Sequence, residues 1–280
     1  MSGFHWLASY PKSGNTWLRL GLFSLSRDGA TPDFASHRTF ISIASTRAAF
    51  DSRLDVESSD LTDDEAAALR PRLYEAEAQA AANPLLRKVH DAWTLTAAGE
   101  PLFPPAVTLG TVYIVRDPRD VAVSLTHHMG MKQDEAIAFL ADPAATLARS
   151  GPRCKAQLPQ RLLTWSAHVE SWLDAPELPP PLLLRYEDML DDAAAALLRI
   201  ARHLGWEATT EAAAKAADAT RFEALRAAEE RHGFRERPAK AARFFRRGVA
   251  GGWRDTLTAT QAARIERDHG TVMARLGYAT

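Results

Sequence analysis

Two of the few lysines in this chain stand in short segments whose residue types suit chemistry on an anion. Only six of the 34 basic residues are lysine, and Lys12 lies in YPKSGNTW (10–17) while Lys88 lies in KVH (88–90). An ammonium group supplies a compact positive charge. The imidazole of His90, whose unperturbed pKa is near neutral pH, can take a proton from an attacking hydroxyl. These residues indicate an anion-binding loop and a general base, although each residue alone also fits a solvated or structural role.

The segment 10–17 has the features of a phosphate-binding turn. Gly14 permits a tight turn, and a helix that begins near Asn15 or Thr16 would present its first backbone N–H groups to an anion. The segment is not a Walker A motif, in which the lysine follows the second glycine and a serine or threonine holds magnesium, because Lys12 precedes Gly14. We therefore expect phosphate binding of a different kind here.

Two further segments combine arginine with features that favour anion binding. In RDPRDVAVS (116–124), Arg116 ends an apolar run and Ser124 lies two helical turns later, so both can reach one anion along the first turns of a helix. RRGVAGGW (246–253) joins paired arginines to three glycines, which suits a flexible loop around a phosphate. Taken alone, Arg116 also fits an ion pair, and the second segment also fits a solvated charge run.

Strands and helices alternate in the predicted secondary structure. Apolar and β-branched runs predict strands at 4–9, 85–90, 107–115 and 182–185. Amphipathic runs with capping signals predict a helix after Gly14 and helices at 61–82, 119–128 and 188–205. The alternation predicts an α/β fold, a single domain over 1–280 with a mostly parallel β-sheet flanked by helices. Ligands bind such sheets at the carboxyl ends of the strands, where the basic segments fall.

Composition and charge exclude several classes of protein. With 280 residues, 46% of them hydrophobic and 25% charged, the chain has a globular composition, and its net charge of -1 gives no general attraction to nucleic acid or an anionic membrane. No stretch approaches the roughly 18 apolar residues of a membrane span, and the N-terminus lacks a signal-peptide pattern. The single cysteine, Cys154, fits a reducing compartment. We expect a cytoplasmic protein without nucleic-acid or membrane partners.

Together, the three basic segments resemble the nucleotide-binding motifs of soluble sulfotransferases that use 3'-phosphoadenosine 5'-phosphosulfate (PAPS). That family's YPKSGTTW, RxPxDxxxS and RKGxxGxW occur here as YPKSGNTW, RDPRDVAVS and RRGVAGGW, in the same order, and the resemblance spans 4–276. It implies a P-loop-kinase-like sulfotransferase fold. It also implies direct in-line transfer of a sulfuryl group from PAPS to a hydroxyl or amine of a small-molecule acceptor, with no metal cofactor.

The resemblance further implies roles for individual residues. The group expected at the phosphosulfate is Lys12, Ser13, Gly14, Asn15 and Thr16. The group expected at the adenine is Trp17, Tyr186 and Phe222, and the group expected at the 3'-phosphate is Arg116, Ser124, Arg246, Arg247 and Gly248. Catalysis would fall to His90 as the base for the acceptor proton, Lys12 beside the leaving oxygen and Lys88 at the sulfuryl oxygens.

The sequence leaves the acceptor open. DAW (91–93) follows His90 where family members that act on phenols and steroids have Leu-Pro, and 129–161 falls at the family's variable acceptor-binding region. The residues that either face the acceptor or are structural are Asp91, Trp93, His127 and His128. The expected target is a hydroxyl on a small molecule, a natural product or a sugar.

Two rival functions and the oligomeric state also stay open. A P-loop kinase of a small molecule would share the fold, but it needs a GK[ST] sequence and magnesium ligands. A nucleotide-binding protein without catalysis would have no need of Lys88 and His90. The C-terminal helix, 258–276, either packs within the chain or forms the edge of a homodimer.

Overall fold

The structure, a computed structural model, describes residues 2–34, 40–149, 155–237 and 241–278. Cys154, Lys240 and part of the expected acceptor segment, 150–153, lie outside the described residues. The strands are β1 (Phe4–Ser9), β2 (Ser42–Ile43), β3 (Leu85–Val89), β4 (Thr108–Val115), β5 (Thr146–Leu147), β6 (Gln160–Arg161) and β7 (Leu182–Arg185). Five of them form one sheet in the order β2-β3-β1-β4-β7, in which β3 pairs parallel with both β1 and β2. The strands β5 and β6 form a short antiparallel pair.

Helices flank this sheet, which confirms the predicted α/β fold class. They are α1 (Asn15–Leu25), α2 (Arg47–Leu54), α3 (Asp63–Ala80), α4 (Pro118–Met129), α5 (Gln133–Leu140), α6 (Trp165–Leu173), α7 (Tyr186–Asp191), α8 (Ala193–His203), α9 (Thr210–Ala219), α10 (Phe222–His232) and α11 (Ala259–Arg275). None of the helices in the described part of the chain is both long enough and apolar enough to cross a membrane.

The chain divides into two compact units. The first consists of Met1–Tyr10, Ile41–Tyr113 and Asp142–Leu183. The second consists of Pro11–Phe40, Ile114–Ala141 and Leu184–Thr280. The sheet lies in the first unit except for the last residues of β4 and β7. A single domain over 1–280 stays a prediction.

The core of the first unit is built from aromatic side chains around β1. Every residue of β1 is buried, as expected for a strand covered on both faces of a sheet. The rings of Phe4 and Trp6 stack with their centroids 4.4 Å apart, and Trp6 meets Phe103 edge-on at 5.0 Å. The Trp6 indole N–H donates to Thr108 Oγ1 at 2.9 Å. This packing fixes the strand that leads into the loop at 10–17.

Local capping explains where two predicted helices begin. Before α3, Thr62 Oγ1 accepts from the Glu65 N–H at 3.2 Å, and Glu65 Oε2 accepts from the Thr62 N–H at 2.8 Å. This reciprocal capping box satisfies two N–H groups that the helix cannot pair itself. Before α4, the Asp117 carboxylate accepts from the Arg119 N–H at 2.9 Å, and Pro118 occupies the first helical position, where no N–H is needed.

Two of the differences between the predicted and the observed helices have a local explanation. The helix predicted at 188–205 is two helices, α7 and α8, because Asp192 has a non-helical backbone (φ -144°, ψ 85°) and its carboxylate accepts from the Ala195 N–H at 2.8 Å. The apolar spacing continues across this break and hides it in the sequence. Helix α2 lies in a stretch where no helix was predicted. Phe50 is the only buried residue of α2, all of which is described, so the helix carries no apolar period.

The C-terminal helix α11 packs within the second unit. Ile265 and Met273 are fully buried on its apolar face, which contacts α4 and α5. Arg119 of α4 also donates to Glu266 at 2.7 Å. Of the two alternatives for this helix, packing within the chain is the one observed, and a homodimer stays a prediction.

Two buried histidines make the stability of the folded chain sensitive to acid. Burial lowers the pKa of His168 and of His269 from 6.5 to about 4. As the pH falls from 6.5 to 4, the unfolded chain binds protons that the folded chain does not, so the free energy of unfolding decreases. We expect a loss of roughly 3 kcal/mol per histidine across this window and no contribution above it. Urea unfolding at about pH 7 and about pH 4.5 measures the difference.

The His168→Gln variant is the control for this expectation. Glutamine does not titrate, so the variant should lose less stability between the two pH values than the wild-type protein does. An equal loss in both proteins would contradict the assignment of the acid sensitivity to His168.

Candidate functional site

The loop between β1 and α1 holds two residues in the left-handed backbone region. Lys12 has φ 72° and Gly14 has φ 102°. Glycine adopts this conformation freely, whereas a lysine does so at a cost of about 1–2 kcal/mol. Gly14 is the N-cap of α1 and makes no side-chain cap. The loop is therefore strained at Lys12 and leaves the positive end of α1 without a side-chain cap, as an anion site requires.

Several buried polar atoms within the described ranges of the chain have no hydrogen-bond partner, and they include two donors that can serve an anion at this loop. These two donors are Ser13 Oγ, on a fully buried side chain, and Arg116 Nε. A buried polar group without a partner costs about 1–3 kcal/mol, so such atoms mark a place where a ligand would complete the bonding. Both atoms and the N-terminus of α1 fit a phosphate or a phosphosulfate group.

Arg116 connects the three sequence motifs. Its guanidinium donates to the Lys12 carbonyl at 3.3 Å and to the Val249 carbonyl at 3.0 Å. It also lies 4.3 Å from the ring centre of Tyr186, the tyrosine expected at the adenine. The planar, multiply donating guanidinium suits such a junction better than an ammonium would. The side chain of Arg116, at the end of β4, thus contacts both the loop at 10–17 and the segment 246–253, called the glycine-rich loop below.

Asp120 anchors the glycine-rich loop and was missed as a candidate. Its carboxylate accepts from the Gly251 N–H at 2.7 Å and from the Trp253 N–H at 2.9 Å. Burial raises the pKa of Asp120, while the nearby charge of Arg116 lowers it. The signal was available, because Asp120 is the aspartate of the RxPxD pattern. This carboxylate fixes the end of the loop whose arginines were expected at the 3'-phosphate.

Arg246 and Arg247 of the glycine-rich loop form part of a local excess of positive charge. Burial lowers the pKa of Arg246, and the charges of Arg247 and Arg116 lower it further. Burial, Arg246 and Arg247 likewise lower the pKa of His127. Cations that disfavour one another's charge are stabilised by an anion among them. The second unit therefore holds a cationic cluster in a chain whose net charge is close to zero.

The aromatic residues expected at the adenine lie in the same unit. The rings of Trp17 and Tyr186 meet edge-on with their centroids 5.8 Å apart, and the Trp17 indole N–H donates to the Thr220 carbonyl at 2.9 Å. Phe222 packs so closely on the backbone of Gly248 that a Cβ there would overlap its ring. Trp17 and Phe222 also pack against one hydrophobic cluster. An aromatic wall therefore adjoins the cationic cluster.

Lys12 contacts two further side chains of the second unit. Its ammonium lies 3.2 Å from His128 Nδ1 and 4.7 Å from the ring centre of Phe244. An ammonium only donates, so Nδ1 accepts and the proton of the neutral His128 ring is on Nε2. Phe244 was not predicted, although only Phe245 separates it from the paired arginines. Its backbone N–H donates to Glu229 Oε1 at 2.7 Å, which fixes the phenylalanine beside Lys12.

Three more of the predicted residues lie on helices α1 and α4. Thr16 Oγ1 donates to Glu236 Oε2 at 3.1 Å, and the buried Arg19 donates to Glu236 Oε1 at 2.8 Å, so the Thr16 hydroxyl is bonded to a carboxylate. Asn15 is buried in the first turn of α1. Ser124 is half-buried on α4, and none of the hydrogen bonds found within the described residues joins its hydroxyl to Arg116.

The candidate base lies in the first unit, and β1 fixes its ring. His90 Nδ1 lies 2.8 Å from the Ser9 carbonyl and 3.3 Å from Ser9 Oγ. A carbonyl only accepts, so Nδ1 carries the proton and Nε2 of the neutral ring keeps its lone pair, as a general base requires. Because β1 and β3 are parallel, with Ala8 opposite Val89, Ser9 and His90 leave the sheet at the same end. Lys88, two residues earlier, is half-buried in β3.

Asp91 is paired with a buried arginine. Its carboxylate accepts from both terminal nitrogens of Arg70 at 2.6 and 2.9 Å, and both side chains are almost fully buried. Removing one partner of such a buried, doubly hydrogen-bonded ion pair strongly destabilises the folded protein, because the other charge is left buried without a partner. Trp93 is half-buried, and its backbone N–H donates to Ser171 Oγ at 3.1 Å. The Asp91 carboxylate is therefore bound to Arg70, which favours the structural one of the two roles considered for Asp91.

Replacing Gly14 by alanine should damage both the fold and the anion site. A Cβ at Gly14 would lie 2.6 Å from Tyr186 Cδ2, on a backbone that already has φ 102°. Gly205 is the matched control, because its φ is also positive (70°) and nothing lies within 4 Å of a Cβ there. We expect Gly205→Ala to cost about 1 kcal/mol of stability and Gly14→Ala to cost more.

Urea unfolding and calorimetric titration with 3'-phosphoadenosine 5'-phosphate (PAP) together test this expectation. Gly14→Ala should weaken PAP binding at least about tenfold, because the loop amides must shift with the displaced Tyr186 ring. Gly205→Ala should leave PAP affinity unchanged. Equal effects of the two variants would show that the contact with Tyr186 is unimportant.

The fold and the loop geometry define the class of the protein. A parallel sheet whose first strand leads through a strained loop into an uncapped helix is typical of α/β proteins that bind phosphate groups. Within that class, the family model described as the sulfotransferase domain matches residues 5–277. The chain therefore belongs to the sulfotransferase family. The family and the enzyme class predicted from the three motifs are confirmed.

Individual relatives agree with this assignment. Cytosolic sulfotransferase 13 of Arabidopsis thaliana is 26% identical over 281 residues, which cover 93% of this chain and 74% of the relative. Sulfotransferase 1A1 of Canis lupus familiaris is 25% identical over 175 residues, which cover 59% of this chain and 55% of that relative.

Two solved structures share the fold. The crystal structure of retinol dehydratase in complex with androsterone and inactive cofactor PAP superposes with a TM-score of 0.63 at 20% identity, covering 96% of this chain and 80% of that one. Mouse sulfotransferase SULT7A1 complexed with PAP gives a TM-score of 0.59 at 20% identity, covering 97% of this chain and 85% of that one.

Proposed function

We propose that the protein transfers a sulfuryl group from PAPS to a hydroxyl or amine of a small-molecule acceptor by direct in-line transfer. The observation that carries the proposal is the position of Arg116, which contacts the two other motif loops and Tyr186 while its Nε has no partner in the described part of the chain. The PAP-bound structures that share the fold support PAPS as the donor.

The residues of the second unit fit the donor. A phosphosulfate would accept from the backbone N–H groups at the start of α1 and from Ser13 Oγ, and it would be neutralised by Lys12. The 3'-phosphate would bind to the cationic group of Arg116, Arg246 and Arg247. The adenine would lie against the aromatic wall, which consists of Trp17, Tyr186 and Phe222.

His90 would act as the general base. Its Nδ1–H is bound to the Ser9 carbonyl, so Nε2 is the atom that takes the proton from the acceptor as the acceptor attacks sulfur. PAPS, when bound, supplies the activated sulfuryl group. Lys12 stabilises the negative charge that develops on the leaving oxygen, and Lys88 neutralises the sulfuryl oxygens. Ser9, which binds the His90 ring, is only three residues before Lys12 in the chain.

The acceptor is proposed only by class. A hydroxyl of a small molecule, a natural product or a sugar fits a base of this kind, and an amine is the alternative nucleophile.

A cytoplasmic location is proposed from the relatives, the first of which is named a cytosolic sulfotransferase. Direct transfer of this kind uses charged side chains and the base, and we propose that it needs no metal cofactor.

A transfer assay with labelled donor tests the proposal. The purified protein is incubated with PAPS labelled at sulfur and with a panel of phenols, alcohols, sugars and amines. We expect label to move to at least one compound. In a parallel panel with ATP labelled at the γ-phosphate and magnesium, phosphate transfer would favour a P-loop kinase. Tight PAP binding without any transfer would favour a nucleotide-binding protein without catalysis.

A further inference from the structure

Helix α6 of the first unit binds the segment that directly follows β3. The Trp172 indole N–H donates to the Asp91 carbonyl at 3.0 Å, and Ser171 Oγ accepts from the Trp93 N–H at 3.1 Å. The Ala92 N–H donates to the Arg161 carbonyl at 2.8 Å. The backbone of each residue in 91–93 thus makes a hydrogen bond to a residue distant in the sequence.

The same helix also holds the backbone of the candidate base. His168 Nε2 lies 3.0 Å from the His90 carbonyl oxygen. His168 shares one face of α6 with Ser171 and Trp172, because residues three and four apart in a helix are neighbours. One face of α6 therefore makes hydrogen bonds to the backbone of His90 as well as to that of 91–93.

The hydrogen-bond partners fix the protonation of the His168 ring. A carbonyl only accepts, so Nε2 donates to His90 and carries the proton. Burial lowers the pKa of His168 to about 4, so the ring is neutral at pH 7 and its Nδ1 has a lone pair. Tyr113 Oη lies 2.8 Å from that Nδ1 and donates to it. A fully buried chain of donors thus runs from Tyr113 through His168 to the His90 carbonyl.

We propose that His168, oriented by Tyr113, is a positioning residue for the base of the reaction. It fixes the backbone of His90 at a point from which the imidazole reaches the Ser9 carbonyl, 2.8 Å from Nδ1. That second bond keeps the proton on Nδ1 and leaves Nε2 as the basic atom. Without His168, the backbone of His90 can shift, and the hydrogen bond from its Nδ1 to the Ser9 carbonyl becomes longer. The His90 ring can then exchange between its two tautomers. The inference rests on the proposed role of His90.

Histidine-labelled NMR tests this role without requiring the acceptor. The ring nitrogen shifts of His90, assigned by comparison with His90→Ala, report which nitrogen carries the proton. We expect one tautomer, with the proton on Nδ1, in the wild type and in His168→Gln, whose amide N–H can still donate to the carbonyl. We expect a mixture of tautomers in His168→Phe, which has no donor.

Transfer kinetics with the most active compound of the acceptor panel give the second readout. His168→Phe should lower kcat roughly 10- to 100-fold, with the KM for PAPS within about twofold of the wild type, because the reacting group is misplaced while donor binding is not. His168→Gln should recover most of the loss. A single Nδ1–H tautomer and an unchanged kcat in His168→Phe would overturn the proposal, even if that variant is less stable.

Tyr113→Phe keeps the inference testable if His168→Phe does not fold. This variant removes one O–H group and keeps the ring, so we expect a smaller shift in the same two readouts, and no shift in either would overturn the proposal.

The test of His90 as the base is separate from the test of His168. If His90→Ala retains full transfer, the assignment of the base is wrong, whereas loss of transfer in His90→Ala with no effect of His168→Phe disproves only the positioning role.

Discussion

Replacing His90 by alanine is expected to lower the rate of sulfuryl transfer at least ~100-fold while leaving the affinity for PAP within about twofold. In the proposed mechanism the imidazole of His90 removes the acceptor proton, which alanine cannot do. The contacts assigned to the nucleotide involve side chains of the second unit, whereas His90 belongs to the first and its ring bonds to Ser9. Transfer from sulfur-labelled PAPS and calorimetric titration with PAP measure the two quantities on the same preparation.

The control for this variant is His232→Ala. His232 is an exposed histidine at the end of α10 that has no part in the proposed site. Its replacement should leave both the transfer rate and the PAP affinity unchanged. Turnover of His90→Ala close to that of the control would show that another group takes the acceptor proton.

Replacing Arg116 by alanine should have its largest effect on nucleotide binding. The change removes a cation expected at the 3'-phosphate, and it also breaks the bonds to the Lys12 and Val249 carbonyls that join the two loops. We expect the dissociation constant for PAP to rise about 100-fold, which corresponds to about 2.7 kcal/mol. Arg116→Lys should give an intermediate value, because an ammonium retains the charge but lacks the planar fork.

Arg267→Ala is the matched control for the loss of one positive charge. Arg267 is exposed on α11 and paired with Asp268 at the surface, so its removal should change PAP affinity little. Thermal unfolding of all three variants separates lost binding from lost stability. If Arg116→Ala binds PAP as tightly as Arg267→Ala does, the assignment of Arg116 to the 3'-phosphate is wrong.

Much of the fold follows from local signals in the sequence. The strand β1 and the loop after it are predicted because an alternating aromatic run is followed at once by Pro11 and Gly14. The start of α3 is predicted because its capping box is complete within four residues. The break at Asp192 was missed, because aspartate is compatible with either an N-cap or a helix interior, and Leu190 before it and Ala194 after it continue the helical pattern.

The candidate site is less predictable, because its contacts join distant parts of the chain. The motifs identify Arg116 and Lys12 as cations, but nothing local indicates that one donates to the carbonyl of the other, 104 residues away. The bond from Thr16 to Glu236 spans 220 residues and that from Gly251 to Asp120 spans 131. Such pairs are set by the packing of whole elements.

Backbone strain was also invisible in the sequence. The left-handed conformation is favoured by glycine and is costly for other residues, so Gly14 was a visible candidate for it and Lys12 was not. The tautomer of His90 was equally hidden, because it depends on the parallel register that places Ser9 beside it. Sequence patterns identify the chemical groups, and the fold determines which atoms of those groups are bonded to the backbone.

Calorimetric titration with PAP and with ATP and magnesium tests the central claim most directly, because it examines the donor site without the unknown acceptor. We expect tight binding of PAP and little response to ATP with magnesium, since the cationic cluster suits a 3'-phosphate and Lys12 does not stand in a Walker A position. Tight binding of ATP with magnesium and weak binding of PAP would contradict it and would favour a kinase.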